Sequence, residues 1–228
     1  MNQKVFVPVA IVIAGALIAG ALFFAGRSAA PDQGGNGGGQ VKDVPALGSN
    51  EHILGNPEAD ILIVEYSDIE CPFCKQFHVT MQQIIDEYGP SGEVAWVYRH
   101  FPLQQIHPNA PRIAEASECV AELGGNAQFW SFIDEVFAVA PGNERFPLNQ
   151  LTATAQKVGI DGTSFDECLA SGRHQKTIET QFNDALASGG NGTPHNVIVI
   201  QSTGENIPLP GAQPYATVKN IIDSILAQ

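Results

Sequence analysis

Residues 60–74 of this chain have the sequence DILIVEYSDIECPFC, which joins a buried strand to the start of a helix. Residues 60–67 are apolar and rich in β-branched side chains, a pattern typical of a strand covered on both faces, with Glu65 as the exception. Residues 72–88 carry apolar side chains at helical spacing, and residues 93–99 alternate as a second strand. The order predicts a right-handed β-α-β crossover between parallel strands.

The rest of the chain continues this α/β unit after a long interruption. Residues 108 to about 190 have the pattern of successive amphipathic helices, which predicts a helical insertion of about eighty residues. Beyond it the sequence predicts strands at 195–201 and 206–209 and a final helix at 215–226. The predicted order is therefore β-α-β, helical insertion, β-β-α, within one domain that covers residues 51–228.

Composition and charge exclude several classes of protein. With 44% apolar and 15% charged residues among 228, the chain is neither wholly disordered nor a polytopic membrane protein. Eleven Lys and Arg oppose 24 Asp and Glu, which gives a net charge of −13. Because so acidic a surface repels phosphate backbones, we expect no nucleic-acid partner.

The first 50 residues are predicted to lie outside the folded domain. Residues 1–27 are expected to be a transmembrane anchor or a signal segment, because residues 5–26 are uncharged, mostly apolar and long enough for a helix of roughly 33 Å. Small residues at 28–30 leave a cleaved signal peptide open, but the usual apolar region of such peptides has only about 7–15 residues, which favours an uncleaved anchor. The Gly-rich residues 28–50 are predicted to be a flexible linker.

The motif Cys71-Pro72-Phe73-Cys74 carries the predicted chemistry. Two cysteines three positions apart at the start of a helix can form a disulfide without backbone strain. Cys71 is the predicted nucleophile, because unpaired amides and the helix dipole favour a thiolate at a helix N-terminus. Cys74, one turn further and more shielded, is predicted to resolve the mixed disulfide. Pro72 suits the first helical position, where no amide hydrogen is needed.

Two alternatives to redox chemistry are open for this motif. A zinc knuckle needs four ligands, and the near candidate besides the two cysteines is His78. An inert structural disulfide is the second alternative. A C-x-x-C that follows a buried strand and opens a helix within a β-α-β unit is typical of redox chemistry, so the pattern favours a redox-active pair.

The chain resembles the DsbA-type thiol:disulfide oxidoreductases of the thioredoxin superfamily over about residues 52–226. The segments that carry the resemblance are VEYSDIECPFC at 64–74, RHFPL at 99–103, HPNA at 107–110, ASEC at 116–119, FDECL at 165–169 and NGTP at 191–194. The resemblance implies an α/β protein with a thioredoxin fold and a helical insertion. It is greatest with the membrane-tethered branch, which has a second cysteine pair.

The resemblance also implies roles for residues far from the motif. Pro194 is expected to be cis, with Thr193 packed against the Cys71 sulfur and offering backbone groups to an extended client peptide. Cys119 and Cys168 are expected to form a structural disulfide between helices of the insertion. Without the resemblance, two separately buried free thiols are the alternative.

Three acidic residues and Phe73 are expected to tune the dithiol. Burial of Glu65 in its strand should raise its pKa, and the resemblance implies that it relays the proton of Cys74. A strand-end side chain that reaches solvent is the alternative. Phe73 cannot supply the hydrogen bond that a His gives in strongly oxidising members, and Asp68 and Glu70 oppose a thiolate electrostatically. We therefore expect a higher nucleophile pKa and a less oxidising disulfide than in those members.

The six histidines show no metal-binding pattern in the sequence. His78, His100 and His107 are expected to be surface or capping residues rather than ligands. His195 follows the presumed cis proline and is a weak candidate for tuning the site or contacting a client. We expect neither a cofactor nor a bound metal.

The resemblance implies an enzyme that passes its disulfide to unfolded or reduced exported proteins. A membrane reoxidant of the DsbB or VKOR type is the expected second partner. The catalytic domain is expected on the extracytoplasmic side, periplasmic or extracellular, of a single-pass anchor. A disulfide reductase or isomerase of the same fold and a noncatalytic peptide-binding module are the alternatives.

Overall fold

The computed structural model describes residues 44–48, 50–139 and 145–227. In this part of the chain one mixed sheet is formed by strands β1 (His52–Leu54), β2 (Ile61–Ser67), β3 (Val94–His100), β4 (His195–Ile200) and β5 (Glu205–Pro210). The strand order is β1-β3-β2-β4-β5, with β2 and β3 parallel and the other neighbours antiparallel. The sheet has the predicted parallel pair at its centre.

The helices are α1 (Pro72–Tyr88), α2 (Ala110–Gly124), α3 (Asn126–Val139), α4 (Leu151–Lys157), α5 (Gly162–Ser171), α6 (Gln175–Ala187) and α7 (Tyr215–Leu226), with a 3-10 turn at Leu148–Gln150 before α4. Helix α1 connects the parallel strands β2 and β3, and helices α2 to α6 lie between β3 and β4. This arrangement is a thioredoxin fold with a helical insertion, as the sequence predicts.

Alternation along β2 divides the core into two layers. Ile61 and Ile63 face a large cluster with Phe77 and Met81 of α1 and with the insertion helices. Leu62, Val64 and Tyr66 face the other side of the sheet, where Ala185 of α6 covers them. Because both faces are covered, β2 is buried throughout. Its C-terminal end leads into the segment before α1 that contains Cys71.

The structure describes the N-terminal part of the chain from residue 44 onward, apart from residue 49. Residues 1–43, which include the expected anchor and most of the linker, lie outside the described residues. Within the ranges that the structure describes, no helix combines the length and apolarity needed to cross a bilayer. Residues 44–48, expected to be flexible linker, instead pack on the sheet, because Val44 and Leu47 contact its second core layer and Arg99 donates to Pro45 O at 3.0 Å.

Candidate active site

Cys71 and Cys74 lie where the chain passes from β2 into α1. Cys71 is the N-cap residue of α1, with extended backbone angles (φ −77°, ψ 123°), and Pro72 occupies the first turn. Cys74 lies one turn further and is fully buried, whereas Cys71 keeps 5% of its surface. Both are thiols not joined to each other in the structure. The predicted position of the motif, after a buried strand and at a helix start, is confirmed.

The surroundings of Cys71 favour its thiolate. The pKa of Cys71 is lowered from 9.0 to about 6, chiefly by a hydrogen bond from the Cys74 thiol. Burial opposes this shift, and further hydrogen bonds from Thr193 and from the backbone of Cys74 and Phe73 add to it. As a thiol, Cys71 Sγ donates to the carbonyl oxygen of Thr193 at 3.5 Å. Cys71 is therefore largely ionised at neutral pH.

Cys74 has the opposite preference. Burial raises the pKa of Cys74 well above 9.0, and the hydrogen bond with Cys71 and the charge of Glu65 add to this effect. The backbone N–H of Asp68 donates to Cys74 Sγ at 3.4 Å. Cys74 therefore keeps its proton at neutral pH, and it needs a nearby base before it can attack a disulfide.

Glu65 provides a buried carboxyl group near Cys74. Its side chain lies on β2 and is 1% exposed, so the alternative of a strand-end Glu that reaches solvent is wrong. Ser67 Oγ donates to Oε1 at 2.7 Å, and Trp96 Nε1 donates to Oε2 at 2.9 Å. Burial, opposed by these two hydrogen bonds, raises the pKa of Glu65 to about 8. Glu65 is therefore mostly protonated at neutral pH, and the predicted direction of its pKa is confirmed.

Thr193 and Pro194 close the site on the side of Cys71. The peptide bond between them is cis, as the resemblance implies. While Cys71 is a thiol, Thr193 Oγ1 is buried and has no hydrogen-bond partner within the described residues. Since this hydroxyl has no competing acceptor there, its hydrogen is available to the Cys71 thiolate.

A cavity of about 530 Å³ opens beside Cys71. Its lining includes Leu103 and the exposed side chains of Phe73 and Ile106, which leave 61% and 63% of their surface accessible. Arg145 contributes a positive charge to the same lining. The dithiol therefore opens on a partly apolar surface that a peptide can reach.

Asp68 and Glu70 position the loop before Cys71, a role that the sequence alone did not indicate. Asp68 Oδ1 accepts from the backbone N–H of Glu70 at 2.8 Å, and Asp68 Oδ2 accepts from Leu103 N at 2.7 Å and lies 2.9 Å from His107 Nδ1. Glu70 Oε2 accepts from the backbone N–H of Asn109 at 2.9 Å. The two carboxylates thus tie the active-site loop to the segment after β3.

The second cysteine pair is bonded. Cys119 of α2 and Cys168 of α5 form a disulfide, so the prediction of a bridge is confirmed and the alternative of two free thiols is wrong. Both sulfurs belong to the main core cluster. The bond joins two helices of the insertion over 49 positions of sequence.

The expectation that His78 and His100 lie on the surface is wrong. His78 is 4% and His100 only 1% exposed, because tertiary packing supplies both with carboxylate partners. His78 Nε2 lies 2.6 Å from Asp134 Oδ1, and His100 Nε2 lies 3.0 Å from Glu118 Oε1. Buried polar rings of this kind need such partners.

His195 lies on the other face of the sheet from Glu65. It pairs with Tyr66 across the strands, whereas Glu65 pairs with Asn196. The His195 ring stacks on Tyr66 at 5.7 Å, and its Nε2 lies 3.0 Å from Ser188 Oγ. The position after the cis proline therefore does not bring this ring to the dithiol, because strand alternation turns it away.

Comparison with known proteins agrees with this architecture. A family model described as thioredoxin matches residues 48–223, and the chain belongs to this family. The DsbA2 structure of Pseudomonas aeruginosa has a TM-score of 0.65 and 28% identity, and the match covers 79% of this chain and 97% of that one. Oxidised BdbD from Bacillus subtilis has a TM-score of 0.71 and 21% identity, with 83% and 99% covered. The chain thus shares its thioredoxin fold and helical insertion with these DsbA-type structures.

Curated relatives include much longer proteins. The Na(+)/H(+) antiporter NhaA 3 of Salinispora tropica is 34% identical over 151 residues, which are 66% of this chain and 22% of that protein. The Na(+)/H(+) antiporter NhaA of Herminiimonas arsenicoxydans is 31% identical over 154 residues, 68% of this chain and 23% of that protein. The chain thus spans about a fifth of the length of these relatives.

Proposed function

We propose that this protein is a membrane-tethered thiol oxidase that introduces disulfides into folding exported proteins outside the cytoplasm. The observation that carries the proposal is the difference between its two active-site sulfurs. Cys71 borders an open cavity and favours a thiolate, whereas Cys74 is sealed in the core and favours a thiol. A site that stabilises one thiolate stabilises the reduced dithiol, which makes the corresponding disulfide a better oxidant.

The first chemical step is attack on the Cys71–Cys74 disulfide. A client thiolate attacks Cys71 Sγ, because this sulfur is the one that borders the cavity. The bond between Cys71 and Cys74 breaks, and a bond between the client sulfur and Cys71 forms. Cys74 leaves with the electron pair and takes a proton from Glu65, which is mostly protonated at neutral pH.

The second step releases the oxidised client. A second client thiolate attacks the client sulfur of the mixed disulfide, so that Cys71 leaves as a thiolate stabilised by its hydrogen bonds. The client has lost two electrons and two protons, and the enzyme now holds Cys71 as a thiolate and Cys74 as a thiol. Of the two protons, one has in effect passed to Cys74, because Glu65 regains from solvent the proton that it donated, and the other stays in solvent. Thr193, which precedes the cis Pro194, lines the cavity next to Cys71, and its backbone is proposed to pair with the extended client backbone.

Turnover requires an acceptor for these two electrons. We propose a quinone-linked membrane reoxidant of the DsbB or VKOR type, which restores the Cys71–Cys74 disulfide. The apolar residues 5–26 support the tether that keeps the two partners close. No cofactor is needed within this chain, because the two sulfurs carry the electrons.

Refolding of reduced RNase tests the proposal. The oxidised full-length protein should restore RNase activity at a rate proportional to its concentration, and Cys71→Ala should abolish the effect. A Cys119→Ala/Cys168→Ala double variant is the matched control, because it removes the other disulfide and keeps the dithiol. Refolding that persists in Cys71→Ala would contradict the proposal.

A reductase or isomerase of the same fold is the second candidate, supported by Phe73 in place of a thiolate-stabilising histidine. The reduction potential of the dithiol and the reduction of insulin discriminate between the two directions. A potential near that of thioredoxin, about −270 mV, together with fast insulin reduction would favour the reductase. A noncatalytic peptide-binding module would show neither insulin reduction nor RNase refolding.

A further inference from the structure

A second group of ligating side chains lies outside the dithiol site, where β1, β3 and α2 meet. His52 belongs to β1, His100 ends β3, and Glu118 lies on α2. His52 Nε2 and His100 Nε2 lie 2.9 Å and 3.0 Å from the same oxygen, Glu118 Oε1. All three ligating atoms lie within 4.8 Å of one another. Two imidazoles and one carboxylate thus converge on one point.

Packing holds these three side chains in place. His52, His100 and Glu118 are only 5%, 1% and 7% exposed. The His52 ring stacks on Phe129 with 3.6 Å between ring centroids, and the His100 ring meets Tyr98 edge-on at 5.4 Å. Because packing restricts both rings, their Nε2 atoms stay directed at Glu118. Ligands ordered in advance lose little conformational entropy when an ion binds.

An ion can reach the group from solvent. A cavity of about 450 Å³ is bordered by His52 and Glu118, and Glu51, Glu122 and His174 line the same space. A plausible metal site needs such an entry path. The opening also leaves room for a water or another external ligand, as in zinc sites that have three protein ligands.

The donor atoms select the class of ion. Ca²⁺ and Mg²⁺ prefer oxygen ligands, whereas imidazole nitrogen suits Zn²⁺ and its neighbours in the first transition row. Two tetrahedral ligands at about 2.0–2.1 Å from Zn²⁺ lie about 3.3 Å apart. The distances from His52 Nε2 and His100 Nε2 to Glu118 Oε1, now 2.9 Å and 3.0 Å, therefore need to lengthen by about 0.3–0.4 Å, and the distance between the two nitrogens, which is within 4.8 Å, needs to reach about 3.3 Å.

We propose that His52, His100 and Glu118 bind one transition-metal ion of the Zn²⁺ class, with an external ligand completing its coordination. The ion cross-links a three-residue edge strand to its neighbouring strand and to the insertion. It stabilises this corner of the domain and takes no part in the exchange at Cys71 and Cys74. The proposal opposes the expectation from the sequence, in which the histidines form no metal site.

Titration of the metal-free, full-length protein with ZnCl₂ tests the proposal. The protein is kept oxidised, so that the closed Cys71–Cys74 disulfide cannot compete for the metal. We expect calorimetry to give one Zn²⁺ per chain with no heat from CaCl₂, and Co²⁺ to give the visible absorption of a tetrahedral site.

Variants locate the bound ion. His52→Gln and Glu118→Gln should each weaken Zn²⁺ binding by about tenfold or more, because mutation of a residue that only supports a metal ligand already lowers metal affinity by about tenfold. His78→Gln is the matched control, because it removes a buried histidine from another carboxylate pair and should leave the affinity unchanged. Equal affinity in His52→Gln, Glu118→Gln and the wild type would overturn the proposal.

Two further measurements distinguish the loss of a metal site from the misfolding of a variant. Zn²⁺ should raise the Tm of the wild type, because it binds the folded chain, and should raise that of Glu118→Gln much less. An equal rise in both overturns the proposal. The Co²⁺ spectrum of the wild type needs no variant, and the absence of tetrahedral bands overturns the proposal directly.

Discussion

Replacement of Glu65 by Gln is expected to stabilise the folded protein at neutral pH. Glu65 is buried, and its carboxyl oxygens meet two hydrogen-bond donors, Ser67 Oγ and Trp96 Nε1. Trp96 Nε1 can only donate, so Oε2 must act as acceptor, and the proton of the neutral acid then lies on Oε1. The Ser67 hydroxyl donates to Oε1 of the carboxylate and rotates to accept from the neutral acid. The Gln side chain would be a close copy of this protonated form, since its amide group can donate to Ser67 and accept from Trp96.

The magnitude follows from the pKa of Glu65, which burial raises from 4.5 to about 8. Between these values the unfolded chain loses the proton and the folded chain keeps it, so the stability of the wild type falls as pH rises. At pH 7, about 2.5 units above the pKa of the unfolded chain, this loss makes the wild type about 3 kcal/mol less stable than Glu65→Gln. The difference in stability approaches about 5 kcal/mol above pH 8 and vanishes below pH 4.

Urea denaturation of the reduced proteins between pH 4 and pH 8 measures this difference. We expect Glu65→Gln to equal the wild type at the acid end and to exceed its free energy of unfolding increasingly as the pH rises. Glu205→Gln is the matched control, because Glu205 is an exposed carboxylate at the start of β5, and it should change stability little at any pH. A constant difference between Glu65→Gln and the wild type across this range would refute the reasoning.

Four further outcomes are expected. The absorbance of the Cys71 thiolate should titrate with a midpoint near pH 6, because hydrogen bonds from Cys74 and Thr193 stabilise it, and a midpoint near 9 would contradict this. Cys74→Ala should accumulate a mixed disulfide between Cys71 and a client, seen on gels without reductant; failure to trap one would rule out Cys71 as nucleophile. Glu65→Gln should slow the attack of Cys74 on that mixed disulfide by about 100-fold and remove its pH dependence near 8, whereas a purely structural role would leave the profile unchanged. Cys119→Ala/Cys168→Ala should lower the free energy of unfolding by about 4 kcal/mol for a loop closed over 49 positions, measured by urea denaturation, and an unchanged value would contradict the loop-entropy account.

Local pattern was enough to predict the centre of the fold. The apolar run of β2, the helical spacing of α1 and the alternation of β3 are each visible within one element, because burial imposes a period on the sequence of each. The helix start at Pro72 follows from local chemistry in the same way. The cis bond before Pro194 did not follow from the residues themselves, since most X-Pro bonds are trans. Only the resemblance to a family indicated it.

Features that depend on distant partners were missed. Strand β1 has three residues, too few to show a period, and it exists because it pairs with β3 across more than forty positions of sequence. His52 was overlooked with it. The loop-anchoring role of Asp68 was equally invisible, because its partner Leu103 N lies 35 positions away. The sequence supplied only the charge of Asp68, and charge alone suggested repulsion of a thiolate.

The difference between the two sulfurs follows from strand register and helix phase acting together. Register places Glu65 between Tyr98 and Asn196 on the α1 side of the sheet, and a slip of one residue would move it to the other face. Helix phase places Cys71 at the N-cap and turns Cys74, one turn later, into the core. Both the register and the helix phase are needed to bring the Cys71 thiolate, the Cys74 thiol and the Glu65 carboxyl group together. The short C-x-x-C spacing brings the two sulfurs within bonding distance, whereas the β-α-β unit around it makes the pKa values of Cys71 and Cys74 differ.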